Sequence, residues 1–402
     1  MLFERRLDGY EELHLHAPTA FVADCAGEVD ERALAYAFDI LGTHYPALRG
    51  QIHPDALGYL LTVPRGRRAD FRVVADTGEY PRNVARAWNA RKSLATLVLA
   101  RGVEHSRVAL YVEHAIGDGR NMYALLTTLF RLYKAIVRGT QTTVTHPARL
   151  PQPPLSMLAN RAQLDRRAFV CGPSGAPTPG LPTLHRRRIL LSDKETSGLR
   201  KLARTRGITV YTLLCGVLLG TQRDHMAHSP LPVTMRVWPV VDLRERVRPP
   251  VGATETTNFA SAAELNLRVP AEHDRIALGR AVGTRLERAI AEGRPQLRMA
   301  GLGAEDAPPA HSLAAAIISN LGVVEDLPEP AGLDVTDVQI WPYGWRMPYP
   351  MYMMHTYRGR LSIEAVFRTD VFAESTVADL VHAATADVHT LISPHETVGN
   401  RS

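Results

Sequence analysis

Cysteine is scarce in this sequence, and the three residues Cys25, Cys171 and Cys215 are widely spaced and odd in number. They form neither a disulfide framework nor a zinc-ligand pattern. No apolar run reaches the roughly 18 residues that a membrane span needs, and the longest, residues 210–220, indicates a buried helix. The first residues lack the apolar segment typical of a secretory signal. We therefore expect a cytoplasmic protein with no membrane span and no metal site.

The length of the chain and its charge narrow the class of protein further. The 402 residues, 45% of them hydrophobic and 22% charged, suit two globular domains. The net charge of +6 is compatible with an ordinary protein rich in arginine or with an acidic partner, such as coenzyme A phosphates or an acidic acyl carrier protein. The basic clusters at residues 65–68 and 186–188 are short and lack interleaved aromatics, so we expect no nucleic-acid partner.

The prolines are unevenly distributed along the sequence. Residues 1–150 and 185–402 show regular periodicity, whereas prolines cluster in residues 151–184, which we interpret as a crossover between two domains. Within the domains, Asp30 and Ser192 are typical N-caps of helices. Residues 47–52 and 232–241 are predicted to be strands. Helices and strands follow one another without a regular βαβ rhythm, which favours a mixed α/β fold.

Several familiar catalytic motifs are missing. The sequence contains no G-x-G-x-x-G after a strand, no P-loop, no G-x-S-x-G and no H-E-x-x-H. Ser174 lies in the proline-rich crossover rather than on a strand-to-helix turn, so it is a poor candidate nucleophile. The candidate that remains is His114, in the segment HAIGDG of residues 114–119.

The surroundings of His114 predict a strand, a turn and a helix. Val108, Leu110 and Val112 alternate with other residues as in a strand. His114 continues that alternation and is expected to point to the same buried side. Gly117 and Gly119 break the strand into a turn, where glycine allows positive φ and close backbone approach. Leucines at helical spacing follow from residue 125.

A histidine in this position suits acyl transfer from a thioester. The thioester carbonyl is already activated, so the reaction needs a base for the attacking hydroxyl or amine, and donors for the oxyanion. Imidazole, with an ordinary pKa of about 6.5, is such a base. Asp118 lies on the turn, and we expect it to hold the loop through Arg244 rather than to orient His114. The pattern H-x-x-x-D is weak by itself, and a structural histidine is an equal alternative.

Three further residues are candidates for substrate binding. Asn258 is predicted to donate to the oxyanion or acceptor, with a turn residue as the alternative. Asn320 is predicted to line the site in the same way. His355 is predicted to line a channel, with a buried, hydrogen-bonded structural histidine as its alternative.

The segment HAIGDG resembles the HHxxxDG motif of a known acyltransferase superfamily. That superfamily includes peptide-synthetase condensation domains, the plant BAHD acyltransferases and the mycobacterial polyketide-associated acyltransferases. Further segments resemble the polyketide-associated group. These segments are residues 7–18 (an opening strand region), 29–52, 207–219, 239–252 and 319–322. Together the likeness spans residues 7–393.

This resemblance implies two chloramphenicol-acetyltransferase-like domains, each a mixed sheet with flanking helices, and an active-site channel between them. It implies His114 as the base, with Asp118 as a structural residue bridged to Arg244 and followed by Gly119. The donor would be an acyl-CoA or acyl carrier protein thioester, used as a co-substrate without a cofactor.

Two departures from the motifs favour the bacterial branch of the superfamily. Glu113 replaces the first motif histidine, which weighs against a condensation domain. The DFGWG motif of the plant enzymes is absent, and residues 341–345 match it poorly.

The sequence therefore predicts a monomeric acyltransferase. It would transfer an acyl group to a hydroxyl or amine of a small-molecule acceptor, a natural product or a lipid. One alternative is a free-standing condensation enzyme that joins two carrier-bound substrates. Another is an inactive docking scaffold, which the presence of both His114 and Asp118 disfavours.

Overall fold

The computed structural model describes residues 3–78, 80–140, 149–162, 181–226, 230–302 and 312–393. Its strands are β1 Phe3–Arg6, β2 Pro18–Ala26, β3 Gln51–Asp55, β4 Gly58–Val63, β5 Asp70–Ala75, β6 Ala95–Arg101, β7 His105–Glu113, β8 Leu184–Leu190, β9 Val233–Asp242, β10 Ala260–Ala262, β11 Leu265–Val269, β12 Ala315–Val323, β13 Asp334–Pro342, β14 Met351–Tyr357 and β15 Arg360–Arg368. Its helices are α1 Gly9–Leu13, α2 Glu31–His44, α3 Tyr80–Arg86, α4 Gly119–Val137, α5 Pro154–Arg161, α6 Asp193–Thr205, α7 Val210–Asp224, α8 Arg275–Ala291, α9 Arg294–Met299 and α10 Glu374–Ile392.

Two mixed sheets form the framework, which confirms the predicted mixed α/β class. The five-stranded sheet has the order β13-β2-β7-β6-β5, and only its β5–β6 pair is parallel. The seven-stranded sheet has the order β10-β9-β12-β14-β15-β8, with β11 also paired to β9. Its strand β12 is parallel to both neighbours. A small antiparallel sheet, β1-β4-β3, accompanies the first.

One strand crosses the boundary predicted between the domains. Strand β13 falls in the range 185–402, yet it pairs with β2 along the edge of the five-stranded sheet, with Ile340 opposite Phe21. Backbone hydrogen bonds along a nine-residue strand therefore join the two halves of the chain. The predicted ranges follow sequence order, whereas the sheets exchange this one strand.

The helix starts follow the capping residues. Asp30 accepts a hydrogen bond from the Ala33 amide at 3.0 Å, and Ser192 forms a capping box with Glu195. One expectation needs correction. Residues Pro46–Arg49 form a 3-10 turn, so the strand predicted over residues 47–52 begins only at Gln51. The predicted crossover also contains helix α5, which starts at Pro154, a position in the first turn where proline is well tolerated.

Each sheet has its own hydrophobic core. Helices α2 and α4 cover one face of the five-stranded sheet, and α7 and α10 pack on the seven-stranded sheet. A third, smaller core contains Leu158 of α5, Leu243 and Phe259, with Tyr10 of α1 packed against it. It joins the first residues of the chain to the segment after β9, and this junction forms one wall of the site described below.

Within the residues that the structure describes, no single helix has the length and apolar character of a membrane span. Helices α6 and α7 would pass such a test only as a pair, by length and composition, and they are bent by 99°.

Candidate active site

His114 lies where β7 ends. The predicted order of strand, turn and helix is confirmed: β7 ends at Glu113, residues His114–Ile116 form a 3-10 turn, and α4 begins at Gly119. The strand alternation does not extend to His114, because the chain leaves the strand there. Consequently His114 is half-buried, whereas Val112 is completely buried. His114 is therefore less buried than the strand positions before it, and its predicted orientation toward their side stays a prediction.

The ring of His114 has a defined tautomer. Its Nδ1 lies 2.8 Å from the carbonyl oxygen of Gly117. A carbonyl oxygen only accepts, so Nδ1 carries the hydrogen and donates it. The neutral ring therefore keeps an unprotonated Nε2. The side-chain amide nitrogen of Asn258 lies 3.3 Å from the same Nδ1.

Asp118 joins the two halves of the chain at the site. One carboxylate oxygen accepts from the Asn121 amide at 2.9 Å and caps α4. The other accepts from the Arg244 guanidinium and from the Phe259 amide, both at 2.7 Å. The Asp118 and Arg244 side chains are each 3% exposed. This is the contact with Arg244 that the sequence analysis expected.

The arginine is fixed from several sides. Its guanidinium also donates to the Thr257 carbonyl at 3.2 Å and to the Asp242 carboxylate at 3.1 Å. The two carboxylates hold the pKa of Arg244 above its usual value against the effect of burial. The pair is thus a buried charge cluster with most of its hydrogen bonds satisfied, which makes the loop that carries His114 rigid.

The motif glycines do not adopt the positive φ that we expected, but the close approach expected at them is present. Gly117 has φ −170°, which any residue can adopt. A Cβ atom on Gly117 would lie 2.7 Å from the Asn121 side-chain oxygen, and one on Gly119 would lie 2.9 Å from a methyl carbon of Leu321. Gly119 therefore lets α4 start directly against β12.

A buried glutamate connects α1 to the same loop. Glu11 is completely buried, and Arg5 donates to both of its carboxylate oxygens at 2.6 and 2.7 Å. The Thr257 hydroxyl donates to it as well, at 2.7 Å. Because the Thr257 carbonyl accepts from Arg244, a continuous hydrogen-bonded path leads from Glu11 to Asp118.

Sequence reasoning missed His14, whose ring lies beside that of His114. The two ring centroids are 4.9 Å apart, with the planes tilted by 46°. His14 directly follows α1, in a segment that we expected to resemble an opening strand. A signal was present, since Asp8 and Glu11 form a capping box that predicts a helix start at Gly9.

Glu113, at the position of the first motif histidine, is completely buried. Its carboxylate accepts from the Ala17 amide at 2.9 Å and from the Trp88 indole at 2.6 Å. Burial raises the pKa of Glu113 to about 7. These contacts hold the start of β2 against the end of β7, directly below the histidine.

The three predicted substrate-binding residues have different positions. Asn258 is buried next to His114, as described above. Asn320 is exposed on β12, where its side-chain oxygen accepts from the Gly322 amide, one residue from the Leu321 that contacts Gly119. His355 is buried on β14, with Nε2 2.8 Å from the Val338 carbonyl, and burial lowers its pKa to about 4. Substrate binding by His355 therefore has no support here, and the placement fits its structural alternative.

A cleft of about 350 Å³ lies between α3, β13 and β8, lined by Arg82, Arg186, Trp341 and Tyr343 among others, and His114 is not part of its lining. The channel predicted around His114 stays a prediction. Among the described residues, no group of three His, Cys, Asp or Glu side chains is arranged to hold a metal ion. Ser174 lies outside the described residues.

The chain is similar to known proteins in sequence and in fold. Residues 181–366 match the family model described as phthiocerol/phthiodiolone dimycocerosyl transferase C-terminus. The chain is 27% identical over 398 residues to the phthiocerol/phthiodiolone dimycocerosyl transferase of Mycobacterium sp. (strain JLS). The alignment covers 92% of each chain.

Solved structures share the fold. Polyketide synthase associated protein 5 from Mycobacterium tuberculosis superposes with a TM-score of 0.78 and 22% identity, over 97% of this chain and 98% of that one. The first condensation domain of the calcium-dependent antibiotic synthetase gives a TM-score of 0.70 and 15% identity, over 97% of both chains. The architecture of two chloramphenicol-acetyltransferase-like halves, predicted from the sequence, is therefore confirmed.

Proposed function

We propose that this chain moves an acyl group from a thioester to the hydroxyl of a natural-product or lipid acceptor. The premise is that the chain is an acyltransferase of the condensation-domain-like superfamily and is homologous to the phthiocerol/phthiodiolone dimycocerosyl transferases. The thioester belongs to coenzyme A or to an acyl carrier protein. His114 is the general base of the reaction.

The observation that carries this proposal is the contact between His114 Nδ1 and the Gly117 carbonyl at 2.8 Å. It places the ring hydrogen on Nδ1 and leaves the lone pair on Nε2, in a half-buried ring at the end of a strand. A general base needs this combination of a free lone pair, a fixed ring and an accessible position.

The reaction follows from that geometry. Nε2 takes the proton of the acceptor hydroxyl while its oxygen attacks the thioester carbonyl carbon. The tetrahedral intermediate carries the negative charge on the former carbonyl oxygen, and His114 is then an imidazolium. When the carbon–sulfur bond breaks, the imidazolium returns its proton to the leaving thiolate. The products are the ester and the free thiol, and the base is regenerated.

No covalent acyl-enzyme is required in this scheme, because the thioester is already activated. The residues around His114 support the base without replacing it. Asp118 is occupied by Arg244, Asn121 and Phe259, so it fixes the loop rather than polarising the ring. Asn258 lies next to Nδ1, but its amide nitrogen is a donor like Nδ1–H, so the two form no hydrogen bond in this tautomer, and Asn258 is our candidate for donating to the oxyanion or the acceptor.

The test is a thiol-release assay with the full chain. A panel of acyl-CoA and acyl carrier protein thioesters is combined with hydroxyl and amine acceptors, and the products are identified by mass spectrometry. We expect His114→Ala to fold normally and to lose turnover by about 10²–10⁴-fold, the usual contribution of a general base. The control is His105→Ala, because His105 is exposed at the opposite end of the same strand.

Wild-type turnover in the His114→Ala variant would refute the role of His114 as the general base. Product formation only when both substrates are carrier-bound would instead establish the condensation-type alternative. Amide products in place of esters would correct the class of acceptor while leaving the role of His114 intact.

A further inference from the structure

His14 lies outside the sequence motif and reaches His114 from the start of the chain. The centroid separation of 4.9 Å and the tilt of 46° are within the range of aromatic pairs in protein interiors. The Tyr10 ring also contacts His14, with the ring centroids 4.8 Å apart and the planes tilted by 56°. Tyr10, His14 and His114 thus form a row of tilted ring contacts that ends at the proposed base.

The protonation state of His14 is defined by its contacts. Its Nδ1 lies 2.8 Å from the Tyr10 carbonyl, which only accepts, so Nδ1 carries the hydrogen. The protein packed around the ring, followed by the charge of His114, lowers the pKa of His14 to about 3. His14 is therefore a neutral ring throughout the pH range in which His114 could act as a base.

Helix α1 holds this ring firmly. The Tyr10 hydroxyl donates to the Ala260 carbonyl, and Glu11 is bonded to Thr257. Asp8 accepts from the Leu155 amide of α5 at 2.7 Å. Contacts from three separate parts of the chain fix α1, so His14 is a pre-positioned group rather than a mobile surface side chain.

The charged and titratable groups around His114 come from three elements. Its own segment contributes the buried carboxyls Glu113 and Asp118, of which Asp118 is paired with Arg244 from the segment after β9. Helix α1 and its end contribute Tyr10 and His14. An imidazolium formed on His114 during proton transfer therefore lies beside a neutral π-ring and not beside a second cation.

We propose that His14 is a positioning residue for the base: its neutral ring holds the His114 imidazole in its reactive orientation and stabilises the imidazolium that forms when the acceptor loses its proton. This inference rests on the proposed role of His114. Removal of the ring should slow the chemical step and make His114 harder to protonate. Binding of the substrates should be unaffected, because His14 acts through His114.

The test compares variants that separate the ring from its hydrogen bond. His14→Phe keeps an aromatic ring, His14→Asn keeps an amide donor for the Tyr10 carbonyl, and His14→Ala keeps neither. We expect the Ala and Asn variants to lose five- to tenfold in kcat, which corresponds to about 1–1.4 kcal/mol, with KM within twofold of wild type. The Phe variant should recover most of kcat.

A second readout excludes a purely structural effect. The acid limb of the pH profile of kcat/KM should move to lower pH in the Ala variant, and it should stay in place in the Phe variant. The control is Leu13→Ala. Leu13 is the last residue of α1, directly before His14, and it is half exposed. Its kinetics and its melting temperature should match those of wild type.

The proposal is overturned if His14→Ala, folded as wild type, keeps both kcat and the position of the acid limb. It is also overturned if KM rises while kcat is unchanged, since His14 would then bind substrate directly. Either result, together with an inactive His114→Ala variant, would leave the proposed function standing. An active His114→Ala variant would refute that function instead.

Discussion

The buried pair Asp118–Arg244 gives the most direct test of how the site is built. Asp118→Asn preserves the size of the side chain and leaves one oxygen to cap α4 through the Asn121 amide. The amide group then faces the Arg244 guanidinium and the Phe259 amide, which both donated to the carboxylate at 2.7 Å. Both are left without their acceptor in a region where the two side chains are 3% exposed.

The expected cost follows from that burial. Removal of one partner of a buried ion pair destabilises a protein by about 3–5 kcal/mol, because the remaining charge is unpaired and out of water. The Asp242 carboxylate and the Thr257 carbonyl still contact Arg244, which favours the lower end of that range. Replacing both partners, as in Asp118→Asn combined with Arg244→Met, should cost clearly less than the sum of the single changes, by roughly 1–3 kcal/mol.

The assay is chemical denaturation followed by tryptophan fluorescence, with turnover measured on the same samples. The control is Glu292→Gln, which removes exposed ion pairs with Arg288 and Arg294 and should leave the unfolding midpoint unchanged. The structural interpretation of Asp118 is refuted if Asp118→Asn unfolds at the wild-type midpoint and only turnover falls. In that case the carboxylate would act in the chemistry.

Two further predictions concern stability. Burial raises the pKa of Glu113 to about 7, so the folded state holds this proton more tightly than the unfolded chain does. The contribution of Glu113 to the free energy of unfolding should therefore fall as pH rises from about 4.5 to 7, by on the order of 3 kcal/mol at about 1.4 kcal/mol per pH unit. The difference in the free energy of unfolding between the wild type and Glu113→Gln, measured in urea melts, should change by that amount over this range; parallel curves would show that the carboxyl is not responsible. Gly216→Ala should destabilise the protein by about 1–3 kcal/mol, because its Cβ would lie 2.1 Å from the backbone oxygen of Arg275 where α7 crosses α8. Gly198→Ala on α6, whose Cβ would meet Ile392 at 3.5 Å, is the matched control, and equal stability of the two variants would contradict the close crossing.

Helix starts were the most predictable part of the fold. Asp30 and Ser192 cap helices where the sequence indicated them, because a cap depends on a side chain and an amide three residues away. The start of the strand predicted over residues 47–52 was placed too close to the N-terminus, and the reason is also local. Pro46 favours the first position of a 3-10 turn, and the turn takes up Ala47 to Arg49.

The sequence offered Arg244 as the candidate partner of Asp118, and the family resemblance supported the same pairing. The two residues are 126 positions apart, and no periodicity connects them. For His355, the sequence left two roles open. Its local sequence was compatible with a channel or with a core, and only the packing of β14 under β13 buried it against the Val338 carbonyl.

By itself, the sequence determined a mixed α/β chain with a histidine on a turn between a strand and a helix, because hydrophobic period, caps and turn residues act over a few neighbours. The tertiary structure alone decided that β13 joins the sheet of the other half, that Glu11 reaches Thr257, and that His14 lies beside His114. These contacts join residues that are 100 or more positions apart, as Thr257 and Glu11 are at 246. Their formation depends on how whole sheets and helices exclude water when they pack, and that information is spread over the entire chain.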